Sequence, residues 1–221
     1  MILEVRAGAP FFENGCVVGC ERTREAVIID PGDEAAGLLA AVRDHGLDVR
    51  YILLTHAHLD HITGVALMKD ALDAPVHLHA DDRPLYEHAV EQGEMFGLPV
   101  AQPPPVDAYY DMSRMYFGDY EVAVHHTPGH SPGGVCLEIR KKGDSRADLF
   151  VGDTLFAGSV GRTDLPGGSH SVLMESITNV LFPLGDAATV HPGHGPDTTI
   201  GHERQTNPFV LEYLSGRAHS D

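Results

Sequence analysis

The chain has 221 residues, 43% of them hydrophobic, which suits one globular domain with a sizeable core. A formal net charge of −17, with only three lysines, argues against a nucleic-acid partner and against an anionic membrane surface. The odd number of cysteines includes no CxxC pair, and no signal sequence or membrane-spanning apolar run is present. We therefore expect a cytoplasmic protein.

The first half of the chain alternates strands with helices. Apolar runs predict short strands at residues 2–5, 16–20, 26–30, 51–54 and 75–79. Asp33 is expected to cap a helix that Gly46 stops, and further helices are expected over residues 61–72 and 81–96.

From Tyr116 onward the strands follow one another. They are predicted at residues 121–126, 135–139 and 149–151, before a last pair of helices. The proline-rich residues 99–111 are expected to form a loop, in which Tyr109 and Tyr110 serve packing. This order of elements predicts an α+β protein with two β-sheets back to back and helices outside.

The segment Thr55-His56-Ala57-His58-Leu59-Asp60-His61 directly follows the strand at residues 51–54. Imidazole and carboxylate are common ligands for zinc and similar ions. In an extended segment His56 and His58 point to one side, whereas Asp60 and His61 are offset from them. Ligands that divide in this way indicate two adjacent ions rather than one closed structural site.

This His-x-His-x-Asp-His motif at a strand end resembles the signature of the metallo-β-lactamase superfamily, whose fold is a four-layer αββα sandwich. The resemblance implies that His130, in the Gly- and Pro-rich turn of residues 127–134, completes one metal site with His56 and His58. His194, in a turn between two glycines, would complete the other site with Asp60 and His61. Asp153 follows the strand at residues 149–151 and would bridge the ions, because a carboxylate has two oxygens.

Other candidates have less specific signals. Asp30, at a strand end, either holds a ligand histidine or forms a turn before Pro31, and the sequence leaves both open. Five further histidines are given other roles: His77 and His79 are expected to be structural, His125 and His126 to lie in the core or behind a ligand, and His191 to face the core.

Residues 161–168, the tail of residues 193–201 and Asn207-Pro208-Phe209 resemble short glyoxalase II-like proteins, which are similar to hydroxyacylglutathione hydrolase. We expect one domain over residues 1–221, without the C-terminal helical domain of full-length glyoxalase II. Arg162 is a candidate for binding a substrate carboxylate. The alternative is that its guanidinium pairs with Asp164 and shapes the loop.

The resemblance implies hydrolysis of a thioester, S-D-lactoylglutathione or a related acylglutathione, as in methylglyoxal detoxification. A hydroxide that bridges two divalent ions would attack the carbonyl, with Asp60 as the catalytic residue that orients it. Zinc is the first expectation for both ions, with iron and manganese as alternatives.

Two other functions remain open. Residues 60–64 and 161–164 also resemble persulfide dioxygenase, in which one Fe(II) would be held by His56, His130 and Asp153 and the substrate would be glutathione persulfide. A non-catalytic metal-bound scaffold is the other alternative, although no expected ligand is missing. The sequence leaves the oligomeric state open.

Overall fold

Two six-stranded β-sheets face each other in a computed structural model that describes residues 1–111 and 113–217. The first sheet has its strands in sequence order. They are β1 (Ile2–Ala7), β2 (Asn14–Gly19), β3 (Glu25–Ile29), β4 (Asp48–Leu53), β5 (Val76–Leu78) and β6 (Ala108–Tyr109). Strands β1 to β3 pair antiparallel, whereas β3 to β6 pair parallel, so the carboxyl ends of the last four strands lie at one edge.

The second sheet comes from the second half of the chain. Its strands are β7 (Met115–Phe117), β8 (Tyr120–His126), β9 (Val135–Lys141), β10 (Asp148–Gly152), β13 (Thr189–Pro192) and β14 (Thr198–Thr199), in the spatial order β14-β13-β10-β9-β8-β7. A small hairpin of β11 (Leu155–Phe156) and β12 (Ser159–Val160) lies beside it. Strands β10 and β13 are parallel, so their carboxyl ends also meet at one edge.

Helices cover the outer face of each sheet. The first half contributes α1 (Ala35–Asp44), α2 (Leu59–Ile62), α3 (Val65–Ala71), α4 (Arg83–Glu87) and α5 (Ala89–Phe96). The second half contributes α6 (His170–Ser176), which continues into a π-helical turn (Ile177–Leu181), α7 (Ile200–Thr206) and α8 (Pro208–Arg217). Within the described residues, none of these helices has the length and apolar character needed to cross a bilayer.

Alternation of side chains along the strands divides the interior into three apolar layers. In β2, Cys16 and Val18 point between the sheets, where they meet Phe117 and Leu137 of the second sheet. Val17, the residue between them, points outward to the layer under α1 and α3. A third layer joins the second sheet to α6, α7 and α8. The predicted αββα sandwich is confirmed.

Several local predictions were wrong. The helix expected over residues 61–72 is two helices separated at Gly64, where a Cβ atom would lie 2.6 Å from the carbonyl oxygens of Pro31 and Gly32. Asp33 does not cap α1 but accepts a hydrogen bond from Thr63 Oγ1 at 3.0 Å. The helix expected over residues 81–96 is divided at His88, and residues 108–109 of the expected loop form β6.

The prediction of a single domain over residues 1–221 stays a prediction. Met112 and residues 218–221 lie outside the described residues.

Candidate metal centre

The predicted metal ligands converge at the edge where the carboxyl ends of β4, β10 and β13 meet. The segment from the end of β4 into α2 carries four of them, the β8–β9 turn carries His130, and Asp153 and His194 follow β10 and β13. Backbone hydrogen bonds join these segments. Val135 N–H donates to Thr55 O at 2.8 Å between the two sheets, and Gly193 N–H donates to Gly152 O at 2.9 Å within the second sheet.

His56, His58 and His130 form the first group, in which the three ligand nitrogens lie within 4.8 Å of one another. His58 Nδ1 and His130 Nε2 are 2.7 Å apart. His130 Nδ1 donates a hydrogen bond to the carbonyl of Arg162 at 2.8 Å, which leaves the Nε2 lone pair directed into the site. His130 therefore has the tautomer that a metal ligand requires.

Asp60, His61 and His194 form the second group, again with their ligand atoms within 4.8 Å. His194 Nε2 lies 3.0 Å from Asp60 Oδ2, and His61 Nε2 lies 3.7 Å from the same oxygen. His61 is also close to His56 of the first group, and both lie beside Asp30, so the two groups adjoin.

Asp153 lies between the two groups. Its Oδ1 is 3.5 Å from His61 Nε2, and its Oδ2 is 3.6 Å from both His130 Nε2 and His194 Nε2. A Cβ atom at Gly193 would stand 2.3 Å from Asp153 Oδ1, so only glycine leaves room for this carboxylate. Oδ1 thus lies near the second group and Oδ2 lies near both groups, so the carboxylate is within reach of ions held by either group.

Unpaired polar atoms show that these residues fit metal ions. Within residues 1–111 and 113–217, the buried side-chain atoms without a hydrogen-bond partner include His56 Nε2, His61 Nε2 and Asp153 Oδ1. A buried polar atom without a partner is costly, and coordination of a cation removes that cost. All three atoms face the gap between the two groups, which is the position where ions would bind.

The electrostatics of the first group favour neutral imidazole, the form that coordinates metals. Burial, reinforced by the neighbouring His61, holds the pKa of His56 well below its usual value. Burial and the nearby His130 lower the pKa of His58 to about 3. Both rings therefore remain available as ligands at neutral pH.

The second group attracts positive charge. Burial opposes ionisation of Asp60, but His61 and His194 outweigh it and lower the pKa of the carboxyl. Burial also opposes protonation of His61, but Asp60 and Asp30 outweigh it and raise the pKa of the imidazole well above its usual value. A bound cation would satisfy the same carboxylates that favour a proton on His61.

Asp30 supports the ligands, which resolves the question that the sequence left open. Its carboxylate accepts hydrogen bonds from Thr55 N–H at 2.7 Å and Thr55 Oγ1 at 2.5 Å, and from His61 Nδ1 at 3.0 Å. Thr55 Oγ1 in turn accepts from His56 Nδ1 at 3.1 Å. Both imidazoles therefore present Nε2 to the site. Asp30 holds this position with a left-handed backbone, at φ 46°.

Three supporting residues were missed from the sequence. Glu13 is buried, lies 3.8 Å from His61 Nδ1, and pairs through its backbone with His194. Asp82 is fully buried and accepts hydrogen bonds from both segments that carry the first group. Gln92 bonds the backbone of Ala57 and Leu59. No local pattern marks any of them, because their partners are distant in sequence.

Arg162 lies at the side of the site, and its guanidinium makes two hydrogen bonds to Asp164, at 2.7 Å and 2.8 Å. This is the pairing that the sequence offered as the alternative to substrate binding. The side chains of Arg162 and Asp164 are more than half exposed, and Arg162 also lines a cavity above the centre.

The other histidines have partners away from the centre. His77 packs between Tyr51 and Tyr110, and His191 is buried and stacks on Phe150. His79 stacks on His126 with ring centroids 4.1 Å apart. Both rings also lie near Asp81, so their ligand atoms form a further small group, although His79 Nδ1 already accepts the Asp81 N–H.

A cavity of about 440 Å³ opens above the centre, a volume within the range of small-molecule sites. His58, Asp60, His130, Asp153 and His194 line its floor. The two ligand groups are therefore accessible to a substrate.

Comparison with known sequences agrees with this arrangement. The model of the metallo-beta-lactamase superfamily matches residues 10–194. An uncharacterized protein of Aquifex aeolicus is 41% identical over 98% of this chain and all of its own length. Hydroxyacylglutathione hydrolase GloC of Haemophilus influenzae is 34% identical, over 90% of this chain and 93% of its own.

Solved structures with similar folds include the BLEG-1 B3 metallo-beta-lactamase, with a TM-score of 0.85 and 38% identity over 95% of this chain and 99% of that one. TTHA1623 in a di-iron-bound form has a TM-score of 0.81 and 44% identity over 93% of this chain and 99% of that one. ETHE1 from Myxococcus xanthus has a TM-score of 0.75 and 26% identity over 97% of this chain and 90% of that one.

The histidine and aspartate cluster is typical of dinuclear metal sites, and the family model covers the segments that carry it. The fold, the cluster and the match together show that the chain belongs to the metallo-beta-lactamase superfamily and is a metal-dependent hydrolase of that superfamily.

Proposed function

We propose that the chain hydrolyses a thioester, with S-D-lactoylglutathione or a related acylglutathione as the first substrate to test. The observation that carries this proposal is a floor of candidate metal ligands beneath an open cavity. Among the described residues that line this cavity, none is a serine, threonine or cysteine that could act as a nucleophile. The 34% identity to the GloC hydrolase supports the choice of thioester.

His56, His58 and His130 would hold one ion, Asp60, His61 and His194 the other, and Asp153 would bridge them. Bound ions would supply a water of lowered pKa as the nucleophile and would polarise the substrate carbonyl. Side chains of the protein would carry out the remaining steps.

Asp60 is ionised, lines the cavity and bonds His194, so it can orient the attacking water by accepting its hydrogen bond. Apolar side chains that line the cavity, among them Phe11 and Phe156, would shield the reacting carbonyl from part of the bulk water. No residue is needed to protonate the leaving group, because a thiol with a pKa of about 8.5 departs as thiolate. This explains how a thioester could be cleaved at a site with a single candidate catalytic carboxylate.

Zinc is the proposed metal at both positions. Iron is the specific alternative, because a solved structure with 44% identity holds two iron ions. If a single Fe(II) were bound by His56, His130 and Asp153, the persulfide dioxygenase reaction would become the second candidate.

One assay separates these reactions. The purified metal-loaded protein is incubated with S-D-lactoylglutathione, with a chromogenic cephalosporin because a 38% identical structure is named a β-lactamase, and with glutathione persulfide under oxygen. Thiol release that is lost in Asp60→Asn supports the proposal. Cephalosporin cleavage without thiol release, or oxygen uptake with the persulfide alone, contradicts it.

A further inference from the structure

We infer that the cavity above the metal centre binds an apolar substituent of the substrate, so that the preferred thioester carries a hydrocarbon group and needs no anionic carrier. This inference rests on the proposed thioester hydrolysis and deepens it by naming the substrate class. Three features carry it: the walls of the cavity, the state of its polar groups, and the apolar side chains exposed at its rim.

The cavity walls are apolar on both sides of the metal centre. Phe11, Met95 and Phe96 form one wall, and the rings of Phe11 and Phe96 meet edge to face with centroids 5.4 Å apart. Phe156 and Leu165 belong to the opposite wall, which comes from the second half of the chain. A substrate group that extends away from the reacting carbonyl in either direction therefore meets hydrocarbon.

The polar groups in these walls are already bonded within the protein. Gln92 Nε2 donates to Ala57 O at 3.0 Å and to Leu85 O at 2.8 Å, and Gln92 Oε1 accepts from Leu59 N–H at 3.1 Å. Its amide therefore has little capacity left for a substrate.

Apart from the histidines of the floor, Arg162 is the only cationic side chain among the described residues that line the cavity. Its guanidinium is paired with Asp164 through two hydrogen bonds, and the chain as a whole has a net charge of −17. A glutathione carrier brings two carboxylates, and the walls have no unpaired cation to receive them. A neutral carrier meets no such obstacle.

Large apolar side chains are exposed at the rim of the cavity. Met95 is 70% exposed and Phe96 is 50% exposed, both at the end of α5. Adjacent exposed apolar residues beside a pocket mark a binding surface, and methionine adapts its shape to varied ligands. Contact with a hydrocarbon group would remove both side chains from water.

The test uses non-hydrolysable thioethers, so that binding is measured independently of turnover. S-methyl-, S-butyl- and S-hexyl-N-acetylcysteamine are titrated into the metal-loaded protein by calorimetry, beside S-methyl- and S-hexylglutathione. Each buried methylene should tighten binding about fourfold, so burial of about three of the five methylenes by which hexyl exceeds methyl should tighten binding at least about 50-fold in the neutral series. The two hexyl compounds should bind within about threefold of each other if the peptide contributes nothing.

A matched pair of variants locates the effect. Met95→Ala should reduce the hexyl-to-methyl affinity ratio at least about fivefold, because truncation removes apolar contact area. Leu67→Ala is the control, since Leu67 is an exposed apolar residue of α3 outside the cavity and should leave the ratio unchanged.

The outcomes for the two proposals are separable. A steep alkyl series without thioester hydrolysis would refute the proposed function and leave the apolar site intact. Thioester hydrolysis with a flat alkyl series, or S-methylglutathione binding more tightly than S-hexyl-N-acetylcysteamine, would overturn the apolar site alone.

Discussion

Asp82 is expected to hold the two loops of the first ligand group together, and Asp82→Asn tests this role. Its fully buried carboxylate accepts three hydrogen bonds: from Ala57 N–H at 3.0 Å, from Ser131 Oγ at 2.8 Å and from Gly133 N–H at 2.5 Å. The first donor lies between two candidate ligand histidines, and the other two follow His130 in the β8–β9 turn. One side chain thus sets the distance between the loops.

The expected magnitude follows from these bonds. Asparagine keeps one acceptor oxygen but turns an NH2 group toward at least one donor that the carboxylate had bonded. Because an unsatisfied buried donor costs about 1–3 kcal/mol and the new NH2 group also lacks a partner, we expect a loss of about 2–4 kcal/mol in the free energy of unfolding. Loss of such a supporting contact should also weaken metal binding about 10- to 100-fold.

The assay combines urea unfolding of the metal-free protein with chelator competition against the metal-loaded protein. Asp81→Asn is the matched control, since it makes the same change one residue away on a side chain that is 60% exposed. It should alter the free energy of unfolding by less than about 0.5 kcal/mol. If Asp82→Asn behaves like this control in both measurements, the reasoning about the loop contact is refuted.

Three further predictions concern other positions. Asp153→Ala should reduce metal content and abolish turnover, and full activity with normal metal loading would exclude a bridging role. His77→Ala should lower the free energy of unfolding by about 1 kcal/mol through lost ring contacts, while metal content measured by elemental analysis stays unchanged. Glu138 forms a hydrogen bond to His125 at 2.8 Å. This bond, together with the interaction with Arg140, lowers the pKa of Glu138 to about 2, although burial acts in the opposite direction. Since this pKa is depressed in the folded state, Glu138→Gln should destabilise the protein by about 2 kcal/mol at pH 7, and the difference should vanish as the pH falls from 4.5 toward 2. A pH-independent difference in urea unfolding would contradict this linkage.

The fold could be predicted from the sequence because apolar runs and their order are visible in the chain itself. The first four candidate ligands stand in one segment after a strand, so a local pattern indicates them. His130, Asp153 and His194 are far from that segment in sequence, and only the resemblance to the superfamily connected them with it; in the structure they lie beside it.

What the sequence could not predict depends on contacts between distant residues. Asp82 lies 25 residues from Ala57 and 49 from Ser131, so its burial between two loops has no local signal. The break at Gly64 arises because a separate loop approaches the helix there. The apolar cavity likewise needs Phe11 and Phe96, from two distant segments, to meet.

Metal stoichiometry tests the central claim of a dinuclear centre most directly. The protein is produced in medium that contains both zinc and iron, and metal atoms per chain are measured by elemental analysis with Asp153→Ala as a comparison. We predict about two atoms per chain, because two groups of candidate ligands both lie beside the carboxylate of Asp153. One atom per chain in the metal-saturated protein would contradict the dinuclear centre.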